Sequence, residues 1–233
     1  DTAVTLVTDT AVHTDVVINK HFEWSTQIED IAELQALNSM RRFYTDDAGY
    51  ALAKQVDTDL FALAEGLQGG TVGGTGAAAY ENAVIGSNGS TAYTGNSTNA
   101  ADITDAGIRR MLLTLDDADV PMDNRVMVVP PICANDMLGI NRFTEQQFIG
   151  SGDAIKTGKI GQIYGVDIFI SSNCPTPAGT DSAGVLMHKD ALVLAEQVGV
   201  RSQTQYKQEY LGDLFTSDTI YGVAELRNDA GVA

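Results

Sequence analysis

The chain has 233 residues, 44% of them hydrophobic, enough to bury a sizeable core in one large domain or two small ones. Its 31 acidic residues against 14 basic ones leave a net charge of −17, which repels phosphate backbones and anionic lipid and argues against a nucleic-acid-reading face. No run approaches the ~18 apolar residues of a membrane span, and no basic stretch followed by an apolar one opens the chain. A chain that opens on Asp1 rather than Met is expected to be processed or incomplete.

From Thr2 to Trp24 the chain is rich in Val and Thr, which fit a pleated strand. Val4, Leu6, Val12, Val16 and Ile18 fall on even positions, interrupted by Thr8-Asp9-Thr10, and predict an extended β-ribbon. So few large residues cannot hold a ribbon alone, so Asp1 to Ile18 is expected to stand away from its own domain. Phe22 and Trp24 alternate with His21 and Glu23 and are placed to staple the ribbon to the start of a long helix.

That helix organises the chain. Ile31, Leu34, Leu37, Met40, Tyr44, Ala48, Leu52, Val56, Leu60, Leu63 and Leu67 keep the ~3.6-residue helical period from end to end. One continuous helix from Asp30 to Gln68 is about 57 Å long at ~1.5 Å per residue, and needs a long neighbour. Its expected inner stripe includes Leu52, Val56, Leu60 and Leu63. Asp30 is a cap candidate, with Glu33 three residues on, and Gly69-Gly70 is the stop. Gly49, beside Asp46 and Asp47, is the weak point, because a mid-helix Gly costs ~1 kcal/mol; a kink or restart is expected near Thr45 if anywhere.

Gly66 to Ala101 is dominated by Gly, Ser, Thr, Asn and Ala and reads as a long exposed loop outside the core. Asn88-Gly89-Ser90 and Asn96-Ser97-Thr98 match glycosylation sequons by composition alone. A second helix starts at Asp102 or Thr104, turns Ile108, Met111, Leu112 and Leu115 to one face, and closes at Val120-Pro121. Arg125 to Val129 is a buried-strand candidate, Ile132 to Leu138 a short helix, Gly150 to Gly161 a glycine-punctuated loop and Ile163 to Ser171 a strand. Val185 to His188, Ala191 to Glu196 and Ser217 to Leu226 add strand or short-helix material. Helix-rich first and strand-rich later is an α+β pattern.

Motifs that carry chemistry fail on their spacing, and the residues assign no catalytic, cofactor-binding or metal site. His13, His21 and His188 are too dispersed for a zinc helix. Gly73-Gly74-Thr75-Gly76 follows a helix instead of a strand, and Thr157-Gly158-Lys159 has Asp153 where a phosphate loop needs Gly and Ile160 where it needs Ser or Thr. No nucleophile elbow occurs. Asp116-Asp117-Ala118-Asp119 lacks the Gly and Glu of a calcium loop and reads as a solvated helix end. Cys133 and Cys174 lack CxxC spacing; reduced, buried thiols are the default and a bridge between them the exception.

The order of ribbon, aromatic strand, long acidic-capped helix, glycine-rich loop and second helix, followed by Val120-Pro121-Met122-Asp123-Asn124-Arg125-Val126-Met127-Val128-Val129-Pro130-Pro131, resembles the major capsid protein of tailed double-stranded-DNA phages. Gln27-Ile28-Glu29-Asp30, Gly158-Lys159-Ile160-Gly161-Gln162-Ile163-Tyr164-Gly165-Val166 and Tyr221-Gly222-Val223-Ala224-Glu225-Leu226-Arg227-Asn228 agree with it, most like the short-tailed, T-seven-like group. The resemblance implies an α+β, Hong Kong 97-like capsid fold with three parts. These are an E-loop β-ribbon at 1–24 (its second part only), a peripheral domain with a spine helix at 25–124 plus 217–233, and an axial domain at 125–216. The family's N-terminal arm and first E-loop strand would precede residue 1, and no residue match supports cross-linking at Lys20.

The function so implied is a structural, non-enzymatic subunit that self-assembles into an icosahedral shell around double-stranded DNA. Its implied partners are other copies of itself as hexamers and pentamers, a scaffolding protein and a portal, with no cofactor, no sequence-specific DNA contact and no membrane. Its implied place is the virion, with assembly in the host cytoplasm. An acid-rich lining suits a container that must not bind its DNA. Thr, Gly and acid richness leave a secreted or surface-layer structural module as the alternative, and an enzyme built from scattered residues as a third reading.

Overall fold

A computed structural model describes residues 13–35, 40–69, 102–140, 161–176 and 182–233. The expected ribbon before residue 13, the Gly-rich loop from 70 to 101 and the loop from 150 to 160 lie outside the described residues.

Two sheets divide the molecule. The first is three-stranded, in the order β1-β7-β6, where β1 is Lys20–Glu29, β6 Leu192–Lys207 and β7 Gly212–Glu225. All pairs are antiparallel, with Trp24 opposite Ser217 and Ser202 opposite Ser217 on the other side. The strand material expected as separate pieces at Ala191 to Glu196 and Ser217 to Leu226 is thus one long hairpin, turning between Lys207 and Gly212. Burial could not signal it, because β6 from Ser202 to Gln205 is exposed on both faces. The ladder with β7 holds that stretch extended.

The helix predicted from Asp30 to Gln68 appears as α1 (Asp30–Gln35) and α2 (Met40–Ala62), with residues 36–39 between them outside the described set. α2 runs without interruption through Thr45 and Gly49, so the expected kink is absent there. It also ends earlier than predicted. From Leu63 to Gly69 the chain tightens into a 3₁₀ turn, and Gln68 takes a left-handed φ of 53°, which brings Leu67 into the core. Leu67 therefore contradicts the expectation that everything from Gly66 onward is outside it. The inner stripe is narrower than its period suggests: Ala48 and Leu52 are buried, Val56, Leu60 and Leu63 only partly so, and Ile31 and Leu34 face solvent. α2 packs against the first sheet, where Trp24, Tyr44, Ile28, Ala48 and Phe215 form a small cluster. The staple expected from Trp24 is real.

The second sheet is five-stranded, in the order β3-β4-β2-β5-β8, with β2 Arg125–Val129, β3 Gln162–Ile163, β4 Val166–Ile170, β5 Val185–His188 and β8 Gly231–Val232. Only β2 and β4 run parallel. The strand predicted at Ile163 to Ser171 is a hairpin instead. Tyr164 and Gly165 both take positive φ, 51° and 81°, the geometry of a two-residue primed turn whose twist matches the strands. α3 (Asp105–Asp117) and α4 (Pro131–Leu138) complete this half. Of the two expected starts, Asp102 and Thr104, it is Thr104 that caps α3, by accepting from the Gly107 N–H. Leu67, Ile108, Leu115, Met127, Val129, Met137, Val185 and Val232 share its core.

Candidate functional site

The acidic helix end at Asp116 to Asp119 is structural. The Val120 N–H bonds back to the Leu115 carbonyl and that of Asp119, at φ 54°, to the Asp116 carbonyl, a Schellman closure with Asp in the left-handed position. Arg125 locks it: Nη2 donates to the Val120 carbonyl at 2.6 Å, Nε to the Pro121 carbonyl at 2.9 Å, and the guanidinium pairs with Asp116 at 2.7 Å. A cation at a helix C-terminus complements its dipole. Arg125 is almost fully buried, a role its position at the start of an apolar strand does not announce.

The three histidines are not brought together. His13 is exposed, His21 sits on β1, and His188 is buried on β5 beside Asp190 at 3.4 Å. Gly73-Gly74-Thr75-Gly76 and Thr157-Gly158-Lys159 lie outside the described residues. Among the described residues no group of three or more His, Cys, Asp or Glu side chains is placed to hold a metal ion. No described helix is long and apolar enough to cross a membrane.

Polar ties across the first sheet are its main feature. Arg201 on β6 donates two parallel hydrogen bonds of 2.8 Å to Asp218 on β7, and His21 on β1 lies 3.2 Å from the same carboxylate. The fork from Arg201 holds Asp218 down from its ordinary 3.8 to about 2, against the opposing pull of desolvation, with His21 adding to the lowering. On the opposite face the Tyr221 hydroxyl donates to Asp59 of α2 at 2.6 Å while Lys20 pairs with that carboxylate at 3.2 Å. Burial, then the bond to Asp59, pushes the Tyr221 hydroxyl up. Further along, burial raises Glu225, and its Oε1 has no partner among the described residues.

Where the β6–β7 turn meets α1, apolar side chains face water. Ile31 is 66%, Leu34 85%, Tyr210 63% and Leu211 67% exposed. The patch is held in shape by polar bonds: the Tyr206 hydroxyl donates to Asp30 at 3.0 Å, the Asp30 N–H to the Leu211 carbonyl at 3.1 Å, and Arg41 pairs with Asp213. Leu211 sits at φ 47°, a conformation costly for a branched-chain residue, and Gly212 comes next because a side chain there would run into the Ile28 carbonyl. Sequence reasoning missed this tip. Its one signal was Gly212 after an apolar residue, too weak without the hairpin. A second feature, an open groove of about 390 Å³, runs between α2, the edge strand β6 and the interior strands β2 and β5, lined by Leu60, Phe61, Met187, Leu192 and Leu194 with Lys189 at its side.

What the described residues bring together is an exposed apolar tip and a sheet tied by polar bonds. The family model for phage capsid proteins matches residues 26–233, and the chain belongs to that family. Solved structures agree in fold. A Mycobacterium phage Che8 chain is 23% identical, with all of this chain and 75% of that one covered, at a TM-score of 0.74. The capsid of cyanophage P-SCSP1u is 19% identical, covering 97% and 79%, at 0.68, and the mature capsid of bacteriophage PhiM1 15% identical, covering 99% and 78%, at 0.61. A search of curated protein sequences found no match. The fold is the α+β, Hong Kong 97-like fold of tailed-phage major capsid proteins, and the chain is a structural shell subunit of the virion. The alternative of a secreted or surface-layer module gains no support.

Proposed function

We propose that copies of this subunit associate as hexamers and pentamers and close into an icosahedral shell around double-stranded DNA. Assembly takes place in the host cytoplasm with a scaffolding protein and a portal, and the subunit carries no catalysis. In this reading α2 and the three-stranded sheet are the core of the peripheral domain (25–124 plus 217–233), the five-stranded sheet is the centre of the axial domain (125–216), and residues 1–24 are the second part of the E-loop. β6 and β7 form one hairpin that spans the 216/217 border, and β8 pairs with β5 in the five-stranded sheet.

The observation that carries the assembly reading is the tip: Ile31, Leu34, Tyr210 and Leu211 are fixed in place yet left in water by a lone chain. Residues 13–19 support it as well, because they are largely exposed and carry no strand of their own where they pass beside Gly222. The net charge of −17 suits a wall that encloses DNA without binding it. The test is a Leu34→Glu, Leu211→Glu double variant, followed by circular dichroism, sedimentation and negative-stain imaging. The fold is expected to survive and shells to be lost. Normal shells from the double variant would remove the tip from the lattice contacts.

A further inference from the structure

β2 and β4 are parallel neighbours in register, with Val129 opposite Ile170, and the ladder continues one step as the Ser171 N–H donates to the Val129 carbonyl at 3.0 Å. Each strand then leaves the sheet at the same end. Cys133 lies four residues beyond Val129, in the first turn of α4, and Cys174 four residues beyond Ile170, in the turn after β4. Parallel neighbours are ~4.8 Å apart, so the two segments that carry the thiols start side by side at one end of the sheet. Both turns are pinned: the Ala134 N–H donates to the Pro130 carbonyl at 3.1 Å, and that of Ala183 to the Pro175 carbonyl at 3.0 Å. Cys174 is buried and Cys133 packs partly buried on the main core, and neither is bonded to the other in this structure.

We infer that Cys133 and Cys174 form a latent redox pair, closed to an intrachain disulfide by a small-molecule disulfide and tying the exit of β2 to the exit of β4. The inference rests on the second sheet alone and is independent of what the chain assembles into. The step balances as two exchanges. Cys133, the more accessible, loses its proton to solvent and attacks one sulfur of the small disulfide, expelling a small thiolate. The Cys174 thiolate then attacks the Cys133 sulfur of that mixed disulfide and expels the second. Two protein thiols are oxidised, and one small disulfide is reduced to two thiols.

Cys174 also feels its neighbour. Burial is the main cause that pushes each up to about 11; for Cys133 the next is the charge of Asp136, and for Cys174 it is that of Cys133. At neutral pH only ~10⁻⁴ of either thiol is thiolate, so the pair stays reduced for long periods, and closure accelerates about tenfold per pH unit between 7 and 9.

The test incubates the full chain with oxidised glutathione at pH 7, 8 and 9 and monitors intact mass and linked peptides without reductant. The wild type is expected to lose two hydrogens without a retained adduct, and to give one intrachain peptide pair joining Cys133 to Cys174. Cys174→Ser is expected to keep one glutathione on Cys133, since no second thiol releases it. Retained adducts on both wild-type cysteines, linkage only between chains, or two free thiols still titrating after pH 9 would each overturn the pair.

Discussion

The two halves of this subunit are held by different means. Around the five-stranded sheet, α3, α4 and the turn carrying Leu67 bury a continuous apolar core. Among the described residues the three-stranded sheet and α2 share a small apolar cluster of Ile28, Ala48 and Phe215, and are tied by cross-strand and strand-to-helix polar bonds: Arg201 with Asp218, Tyr221 and Lys20 with Asp59, Arg41 with Asp213. Apolar burial contributes at roughly 25 cal/mol per Å² and does not depend on pH, whereas exposed ion pairs contribute little and are weakened by salt and acid. One half is therefore expected to be robust by itself, and the other to be soft until something covers it.

The largest effect should come from the apolar core. Leu115→Ala, at a fully buried position, is expected to cost about 3–5 kcal/mol in urea unfolding, while Leu60→Ala, on the wall of the groove, should cost less than half as much. Equal losses at the two sites would erase the contrast between the halves. Next comes a place where the robust half leans on a charge. Arg125→Ala removes charge-assisted bonds to the Val120 and Pro121 carbonyls and is expected to cost about 2–3 kcal/mol. Asp116 is half-exposed and can be solvated when its partner goes, so a loss near 5 kcal/mol would mean that the helix end itself unravels.

The smallest effect belongs to the polar sheet, and acid removes it. Asp218 is depressed in the folded state, so its contribution is fully present above the ordinary 3.8 and is lost as pH falls toward about 2. Asp218→Asn should accordingly narrow the gap in urea midpoint between pH 5 and pH 2, with the variant the weaker of the two at pH 5. An unchanged pH dependence would show that the Arg201 fork does not stabilise the fold.

The sequence alone carried the element types wherever a local rule acts: the helical period of Met40 to Ala62, Thr104 as one of two cap candidates, the apolar run Arg125 to Val129 bounded by Pro130, and the short helix after it. It also carried the family, through the order of its motifs, each weak alone. Tertiary structure decided what these elements face. The same period that marks Leu52 as buried also marks Leu34, which points into water, because a period fixes a helix but not its neighbour. The β6–β7 hairpin was illegible because Ser202 to Gln205 has no buried face to reveal, and its strand character comes from pairing with Leu214 to Ser217 on the far side of the turn. Cys133 and Cys174 stand 41 residues apart in sequence, and only the parallel register of β2 on β4 puts them at the same end of one sheet.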